Sequence, residues 1–369
     1  MRAAVKTCYW KLRADTDNSA AFNEAAALIK KGETVAFPTE TVYGLGANGL
    51  DPAASAKIFA AKGRPSDNPL ILHVADFSTL TLLADGLNAN AEALIRRFMP
   101  GPITLIVKKA AVVPDVVSAG LATVAVRFPA NAYAQEFIRA CACPIAAPSA
   151  NLSGRPSPTN ASDVLEDMDG RIAGILDGGE CAIGLESTIV DTTEPVPVIL
   201  RPGGVTYEML LEVLGAVDID PALKNDKNFR PKAPGMKYRH YAPKAPMYLL
   251  EAGAAGLLPC LAKSALASGL KVGVLCDSRL AAELPKDARL AAFSWGNSRK
   301  ELASGLFYLL RGFDRICPDV ILAAGVAEDG IGLAIMNRMR KAAGQQLLAL
   351  ENGRIILKNG AQLPAFMIK

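Results

Sequence analysis

The sequence predicts an α/β protein made of two domains that are joined by a basic linker. Three observations support this prediction. Short β-type runs alternate with helical patterns along most of the chain, as they do in folds that mix helices with a sheet. A basic, Pro-rich stretch between residues 214 and 246 shows neither pattern. The chain has 369 residues, and at roughly 100–200 residues per domain that length favours two domains.

The first domain is predicted to be a mixed sheet with helices. The apolar and alanine positions of residues 19–31 fit a helix, which Gly32 ends before a β-type run at 34–37. Further helices are predicted at 53–61 and 91–99, and further strands at 69–74, 103–107, 123–127, 144–148, 187–191 and 196–200. Only short helices separate some of these strands, which favours a mixed sheet over a wholly parallel one.

The linker accounts for the net charge of the chain. Residues 224–244 hold seven Lys or Arg against one Asp, which leaves 33 basic and 35 acidic residues elsewhere. We therefore predict a first domain at 1–213, a linker or lid at 214–245 and a second domain at 246–369.

Strands and helices alternate again beyond the linker. Strands are predicted at 247–250, 271–276 and 320–323, and helices at 254–268, 298–313 and 332–343. The second domain is therefore predicted to be a small Rossmann-like α/β unit. Because no G-x-G-x-x-G follows its first strand, a dinucleotide-binding role is not supported.

Composition excludes several classes of protein. Hydrophobic residues make up 51% of the chain and charged residues 21%, as in folded globular proteins. A net charge of +4 is too small for a surface that binds nucleic acid throughout. No stretch offers the roughly 18 uninterrupted apolar residues of a membrane span, and residues 1–17 lack the apolar core of a secretory signal. We expect a soluble, cytoplasmic protein.

The cysteines and histidines argue against a zinc site or a disulfide framework. The chain has seven cysteines, an odd number, and most have apolar neighbours, which predicts reduced thiols in the core. There are two histidines, His73 and His240, and no C-x-x-C pair.

Five polar segments follow predicted strands or helices of the first domain. The first is PTETVYGLGAN at 38–48, where hydroxyls and glycines suit either a ligand loop or an ordinary turn. The second is KGRPSDNPLILHV at 62–74, where Lys62 and Arg64 suit one anion or a solvated helix end. A lone histidine in an apolar strand, such as His73, is more often a satisfied core residue than a catalyst.

The other three segments also place polar residues at strand ends. They are APSANLSGRPSPT at 147–159, GLESTIVD at 184–191 and LRPGG at 200–204. The small hydroxyl and amide residues of 147–159 are typical of a loop that lies close to a phosphate or nucleotide. The P-loop spacing G-x-x-x-x-G-K-[ST] is absent. Each segment alone is consistent with a turn, but five of them in one domain indicate a site.

Together these segments resemble the YrdC-like domain of the threonylcarbamoyl-AMP synthase family, across residues 19–214. The K-x-R and S-x-N signatures of that family are present as Lys62, Arg64, Ser149 and Asn151. The segments APGMKYRHYAP at 233–243 and GIGLAIMNRMRKAA at 330–343 further resemble the two-domain form, which carries a Rossmann-like C-terminal domain.

The resemblance implies an activity. Members of the family are nucleotidyltransferases that join L-threonine, bicarbonate and ATP into threonylcarbamoyl-AMP and pyrophosphate, for tRNA threonylcarbamoyladenosine modification. It implies Mg²⁺ with ATP, held through the ATP phosphates with no protein metal site. It also implies downstream tRNA threonylcarbamoyl transferase proteins, and it raises weak RNA binding as a further property.

The resemblance also assigns residues in three sets, of which the catalytic set is contained in the ATP-binding set. The catalytic set is Lys62, Arg64, Ser149 and Asn151. The L-threonine-binding set is Thr41, His73, Arg127, Ala147 and Ser187. The ATP-binding set is Lys62, Arg64, Asn68, Thr123, Ser149, Asn151, Ser157, Arg201 and Tyr238. Within the threonine set, the planar fork of Arg127 suits the α-carboxylate.

Alternatives remain open at this point. Tyr238, between Lys237 and Arg239, is placed by the resemblance in a lid that closes over the nucleotide; the alternative is a passive tether. The first domain has a second possible role as a double-stranded RNA or tRNA binder without synthase activity. Carbamoyl transfer in hydrogenase maturation also uses this domain, but with acylphosphatase and zinc-finger segments that this sequence lacks.

Overall fold

The structure, a computed structural model, describes residues 5–224 and 241–367. The chain divides into two compact units, Met1–Ser153 with Ser157–Tyr238 and Gly154–Pro156 with Arg239–Lys369. The boundaries drawn from the sequence at 213/214 and 245/246 stay predictions. The α/β class is confirmed in both units.

The first unit alternates short strands with helices of four to twelve residues. Its strands are β1 (Cys8–Lys11), β2 (Val35–Phe37), β3 (Gly44–Asn48), β4 (Ile71–His73), β5 (Ile103–Lys108), β6 (Thr123–Arg127), β7 (Ile145–Ala147), β8 (Gly174–Asp177), β9 (Thr188–Asp191), β10 (Val198–Arg201) and β11 (Asp218–Ile219). Its helices are α1 (Ser19–Lys30), α2 (Pro52–Lys62), α3 (Phe77–Leu83), α4 (Ala89–Phe98), α5 (Asp115–Ser118), α6 (Ala132–Cys141), α7 (Ala161–Met168) and α8 (Tyr207–Leu214), followed by a 3₁₀ turn at Pro221–Lys224.

The described strands of this unit form one mixed sheet in the order β1-β8-β2-β3-β7-β4-β6-β5-β9-β10-β11. Strands β4 and β6 pair in parallel, as do β5 and β9, whereas β7 with β4, β6 with β5, and β10 with β9 are antiparallel. The predicted mixed sheet is confirmed. Both starts and ends of strands therefore lie at each end of the sheet, and the candidate site spans one face between the two ends.

The two faces of the sheet have different surroundings. Alternate strand residues such as Leu72, Leu105 and Val126 join the largest apolar cluster of this unit. On the other face, β2 and β7 pack in a second cluster that includes residues of α1 and α6. A third cluster of Ile71, Ile106, Ala125, Ile189 and Leu200 lies on the central strands. His73 and Arg127, described below, lie on the same face as this third cluster, because each is two residues along its strand from Ile71 or Ala125.

One segment differs from its sequence-based interpretation. Gly44 and Gly46 were interpreted as residues that bend the chain, but they lie inside β3, which pairs with β2 and β7. A Cβ on Gly44 would come within 2.9 Å of the ring of Phe37, and a Cβ on Gly46 within 2.7 Å of Ile145. These glycines are needed because the side chains beside them fill the space, not because the chain turns there.

The second unit contains a parallel sheet with one antiparallel edge strand. Its strands are β12 (Met247–Leu250), β13 (Val272–Cys276), β14 (Leu290–Ser294), β15 (Val320–Ala324), β16 (Leu347–Glu351) and β17 (Arg354–Leu357). Its helices are α9 (Leu258–Ala267), α10 (Ser278–Ala282), α11 (Arg299–Ile316) and α12 (Gly332–Ala342), with 3₁₀ turns at Ala252–Leu257 and Ala365–Met367. The strand order is β14-β13-β15-β12-β16-β17, and among the described strands of this unit only the β16–β17 pair is antiparallel. The Rossmann-like prediction is confirmed.

Two details of the sequence prediction are corrected. The helix expected at 254–268 is a 3₁₀ turn followed by α9, which begins at Leu258 with Pro259 in its first turn, where a missing N–H costs no hydrogen bond. All seven cysteines are free, but Cys8, Cys260 and Cys317 are exposed, so the prediction of core thiols is wrong for these three. Apolar neighbours in sequence do not ensure burial at a strand edge or a helix end.

Substituting Gly203 tests how closely the backbone packs next to the candidate site. A Cβ at this position would lie 2.4 Å from the backbone nitrogen of Thr188 and 2.5 Å from the carbonyl oxygen of Glu186, and backbone cannot move aside cheaply. We expect Gly203→Ala to lower the free energy of unfolding by about 1–3 kcal/mol, measured by urea denaturation. Gly256→Ala is the matched control, because nothing lies within 4 Å of its added Cβ. Equal stability of the two variants would contradict the packing argument.

Candidate active site

Adjacent strands of the first sheet bring the predicted site residues together. The strands β7, β4, β6, β5, β9 and β10 are consecutive neighbours. Ala147 comes from β7, His73 from β4 and Arg127 from β6. Ser187 directly precedes β9, and Arg201 ends β10. The sequence separates these residues by as many as 128 positions, and the sheet brings them back to one surface.

His73 and Arg127 lie side by side. They are register partners in the parallel pair of β4 and β6, so both side chains extend from the same face of the sheet. Leu72 and Val126, the preceding partners, extend into the apolar cluster on the opposite face. The strand alternation therefore fixes which residues meet the ligand side and which form the core.

His73 is buried and neutral. Its ring meets Phe37 edge to face with centroids 5.8 Å apart, and its Nδ1 lies 3.2 Å from the carbonyl oxygen of Ile71. Burial first, and then the positive charge of Arg127, lower the pKa of His73 to about 3. An imidazole that stays uncharged throughout the physiological range does not act as a general acid there. The expectation of a satisfied core histidine describes its contacts well.

Arg127 forms an ion pair with Glu40 inside the protein. Nη2 of Arg127 donates to Oε1 of Glu40 at 2.8 Å, and the two side chains are only 4% and 12% exposed. Within the described ranges, Nε of Arg127 and Oε2 of Glu40 are buried without a hydrogen-bond partner. Glu40 was not among the residues assigned from the sequence. Its position between Thr39 and Thr41 in the first polar segment was the available signal.

The hydroxyls around Glu40 hold the segment in place. Thr39 Oγ1 donates to the carbonyl oxygen of Val42 at 2.7 Å and accepts from the backbone nitrogens of Thr41 and Val42. Thr41 Oγ1, a predicted threonine-binding group, lies 2.9 Å from Thr39 Oγ1 and is fully buried. The Tyr43 hydroxyl donates to the carbonyl oxygen of Gly179 at 2.7 Å. Thr39 therefore satisfies local backbone groups, as the turn interpretation of this segment had it, whereas Tyr43 bonds to a residue 136 positions away.

Ser187 and Arg201 form a second polar group on the same face. Arg201 donates from Nε to the Ser187 carbonyl oxygen at 3.0 Å and from Nη2 to the Ser187 hydroxyl at 3.1 Å. The same hydroxyl lies 2.7 Å from Oγ1 of Thr104 on β5. The structure thus places Arg201, predicted to bind ATP, against Ser187, predicted to bind threonine.

Ser157 is linked to the residue before Ser187. Its hydroxyl donates to Oε1 of Glu186 at 2.7 Å, and both side chains are buried. Ser157 belongs to the segment that follows β7, whereas Glu186 precedes β9. This contact connects the third polar segment to the fourth.

Lys62 joins the two family signatures. Helix α2 ends at Lys62 because Gly63 follows in a left-handed conformation, with φ of 62°. Nζ of Lys62 donates to the carbonyl oxygens of Ser149 and Asn151, each at 2.5 Å, and lies 3.4 Å from Asn151 Oδ1. Lys62 is only 3% exposed, so the alternative of a solvated charge at a helix end is wrong for this residue.

The residues after Gly63 form a turn around Arg64. Nη2 of Arg64 donates to the carbonyl oxygens of Asn68 and Pro69, at 3.3 and 3.2 Å. Asn68 itself is buried, and within residues 5–224 and 241–367 its Oδ1 has no hydrogen-bond partner. Ser149 and Asn151 are in turn joined by a 2.5 Å bond from Oγ to Oδ1.

The strand registers divide the predicted residues between two ends of one surface. Ile71 pairs with both Ala125 and Ala147, so Ala147 lies level with the middle of β6, and the following Ser149 lies toward its start, where Thr123 is. Arg127 lies at the opposite end of β6, about 13 Å from Thr123 at roughly 3.3 Å per residue. One end therefore carries Lys62, Ser149 and Thr123, and the other His73, Arg127, Ser187 and Arg201. Tyr238 lies outside the described residues, as do all residues from 225 to 240 of the linker or lid predicted at 214–245.

A separate cleft of about 490 Å³ is a weaker candidate. It opens beside β9, β10 and β11 and is lined in part by Asp191, Glu194, Asp218 and Asp220. Four carboxylates disfavour an anionic ligand such as a nucleotide. In the part of the chain that the structure describes, no group of three or more His, Cys, Asp or Glu side chains is arranged to hold a metal ion. No described helix combines the length and apolarity that crossing a membrane requires.

Family models match both units. The model described as "Telomere recombination", which covers the Sua5, YciO and YrdC proteins, matches residues 27–203. A second model, described as "Threonylcarbamoyl-AMP synthase, C-terminal domain", matches residues 205–344.

Curated proteins and solved structures are similar over most of the chain. The threonylcarbamoyl-AMP synthase of Pyrococcus abyssi is 49% identical over 328 residues, covering 88% of this chain and 94% of that protein. The Bacillus subtilis protein of the same name is 47% identical, covering 88% and 93%. The crystal structure of P. abyssi Sua5 complexed with L-threonine has a TM-score of 0.87 at 46% identity, covering 94% of this chain and 99% of that one.

The burial of His73 predicts a pH-dependent stability. Its pKa of about 3 in the folded chain lies below the usual 6.5 of an unfolded histidine, so between these values the unfolded chain binds more protons. Stability should therefore fall as the pH drops from 6.5 toward 3, by up to about 1.4 kcal/mol per pH unit from this residue. Urea denaturation between pH 7 and 4 should show a shallower loss for His73→Gln. Parallel curves for the two proteins would contradict the burial effect.

Proposed function

The chain belongs to the threonylcarbamoyl-AMP synthase family, and from that premise we propose how its first unit makes threonylcarbamoyl-AMP. The protein is an enzyme of the nucleotidyltransferase class, rather than an RNA-binding module without synthase activity. We propose that it joins L-threonine, bicarbonate and ATP, with release of pyrophosphate. The observation that best supports this is a surface with two distinct ends. The His73–Arg127 pair lies at one end, and Lys62 with the loop that carries Ser149 lies at the other.

The end that carries Arg127 suits the amino acid. A guanidinium fork binds a carboxylate through two parallel hydrogen bonds. Arg127 is buried, so water competes little for that contact. The neutral His73 ring and the hydroxyls of Thr41 and Ser187 offer uncharged contacts beside it. A P. abyssi relative has been solved with L-threonine, which supports the assignment of this ligand.

The end that carries Lys62 suits the nucleotide. Lys62 and Arg64 supply positive charge, and the hydroxyl and amide groups of Ser149 and Asn151 add polar contacts. The threonine ammonium first releases a proton to solvent, and the resulting amine reacts with bicarbonate, which gives N-carboxythreonine and water. The carbamate oxygen attacks the α-phosphorus of ATP, and the bond to the pyrophosphate leaving group breaks. No covalent intermediate with the protein is required, so the side chains act by positioning and charge neutralisation.

Magnesium enters the proposal together with ATP. Mg²⁺ is usually bound by one or two carboxylates plus substrate phosphates, and the carboxylate of Glu186 lies at the site on the hydroxyl of Ser157. These oxygen donors fit a metal held mainly by the ATP phosphates. When bound, the ion would neutralise phosphate charge.

The product feeds tRNA modification in our proposal. Threonylcarbamoyl-AMP is a reactive mixed anhydride, so a tRNA threonylcarbamoyl transferase must take it up before water hydrolyses it. We expect this reaction in the cytoplasm, where ATP and tRNA are present. Direct tRNA contact by this chain, and a lid over the nucleotide that includes Tyr238, remain predictions.

A three-substrate assay tests the reaction itself. The purified chain is incubated with ATP, labelled bicarbonate and one amino acid at a time, and pyrophosphate and labelled adenylate are measured. We expect both products only when L-threonine, bicarbonate and ATP are all present. Pyrophosphate release without threonine would contradict the proposal, and so would the absence of turnover with the complete mixture.

Arg127→Lys tests the carboxylate contact. Lysine keeps the positive charge that faces Glu40 but loses the fork, so one charged hydrogen bond of about 1.5–3 kcal/mol should be lost. We therefore expect the KM for L-threonine to rise roughly 10–150-fold while the KM for ATP stays unchanged. Steady-state pyrophosphate release measures both constants.

The control is an arginine far from any predicted ligand. Arg139 on α6 is exposed and donates to Gln135 at 3.0 Å, so Arg139→Lys should leave both constants unchanged. If Arg127→Lys raised the two KM values equally, the residue would support the site as a whole and the carboxylate assignment would be wrong.

A further inference from the structure

The ion pair between Glu40 and Arg127 occupies the guanidinium that the proposed function assigns to the threonine carboxylate. Nη2 of Arg127 is 2.8 Å from Oε1 of Glu40, and both side chains are nearly buried. The pair is incompletely bonded, because Oε2 of Glu40 and Nε of Arg127 have no hydrogen-bond partner in the described parts of the chain. Each partner thus has a polar atom left for a third group.

Glu40 is held in this position by its own backbone. The Glu40 carbonyl oxygen accepts from the backbone nitrogen of Ile183 at 2.8 Å. On either side, the buried Thr39 and Thr41 contact each other through their hydroxyls at 2.9 Å. Burial raises the pKa of the neighbouring Cys181 thiol to about 12, so this thiol stays neutral. The Glu40 side chain therefore faces Arg127 from a backbone position that is held in place.

A free amino acid carries one charge that complements Arg127 and one that complements Glu40. Threonine is a zwitterion, so its carboxylate can bind Arg127 while its ammonium binds Glu40, and the net charge of the site does not change. A ligand with only a carboxylate would compete with Glu40 for Arg127 and leave a buried carboxylate without its cation, which is strongly unfavourable. The arrangement therefore selects for a ligand that carries both charges next to each other.

We propose that Glu40 binds the ammonium of the amino-acid substrate and determines the specificity for it. When no substrate is bound, Arg127 neutralises Glu40 in its place. This inference rests on the proposed function, because it takes L-threonine as the ligand of Arg127. It adds a residue outside the sets assigned from the sequence. It also explains why a carboxylate lies next to the arginine that is to bind a carboxylate.

The test compares two ligands that differ only in the amino group. L-threonine and 3-hydroxybutyrate are titrated calorimetrically into the full chain, in the presence of an ATP analogue whose link between the α- and β-phosphates cannot be cleaved. We expect the unsubstituted protein to bind L-threonine at least about 100-fold more tightly. In Glu40→Gln, the Kd for L-threonine should rise roughly 10–150-fold, whereas the Kd for 3-hydroxybutyrate should stay the same or fall.

The opposing outcome is a uniform loss. If Glu40→Gln weakened both ligands by the same factor, Glu40 would only orient Arg127, and the proposal would be wrong. Preferential binding of 3-hydroxybutyrate by the unsubstituted protein would also overturn it. If the unsubstituted protein bound no L-threonine, the proposed function itself would fail, and this result is distinct from a failure of the Glu40 assignment alone.

Two further variants keep the test decisive. Glu92→Gln makes the same chemical change in an exposed ion pair with Arg96 on α4, so it should leave both Kd values unchanged. Glu40→Asp retains the charge with a shorter side chain. If Glu40→Gln does not fold, as judged by its thermal melting, Glu40→Asp should still weaken L-threonine while keeping its preference over 3-hydroxybutyrate. Loss of that preference in Glu40→Asp would contradict the role of the charge.

Discussion

The buried ammonium of Lys62 is the interaction on which the candidate site depends. It ends helix α2 and contacts two carbonyl oxygens of the loop that follows β7, so it connects parts of the chain that are 87 and 89 residues apart. A buried ammonium is tolerated only when acceptors surround it, and here backbone oxygens provide them. The K-x-R and S-x-N signatures are therefore one structural unit. The lysine holds the backbone of the loop that carries Ser149 and Asn151, at the end of the site that is proposed to bind phosphates.

The mixed sheet sets the length and the polarity of the site. Parallel pairing of β4 with β6 places His73 beside Arg127, and antiparallel pairing of β7 with β4 sends the Ser149 loop toward the other end. In a wholly parallel sheet, all of these loops would emerge at one edge. The distance of about 13 Å along β6 suits two substrates laid end to end. Their reacting groups would then meet over the small cluster that includes Ile71 and Ala125, where the surface is apolar and a carbamate is shielded from water.

Much of this arrangement was predictable from the sequence, and the failures have physical causes. The strand at Thr123–Arg127 and the start of α1 at Ser19 follow from local periodicity, which a single chain segment carries. Strand β3 was missed because its glycines leave space for the ring of Phe37, and this contact between two strands is not visible in the sequence. The family signatures pointed to Lys62 and the wider resemblance pointed to Arg127, but neither pointed to the Glu40–Arg127 pair. That pair links residues 87 positions apart, and no periodicity reports such a contact.

The charges at the two ends match the two substrates that the site is proposed to hold. At the amino-acid end, Arg127 faces Glu40, so the pair is neutral overall, as a zwitterion is. At the nucleotide end, Lys62 and Arg64 donate to backbone carbonyl oxygens, and both cations lie where the polyanion is proposed to bind. At the other end, the Glu40 carboxylate disfavours an anion that carries no ammonium. The strand register and this ion pair therefore help to keep the two substrates in their proposed order.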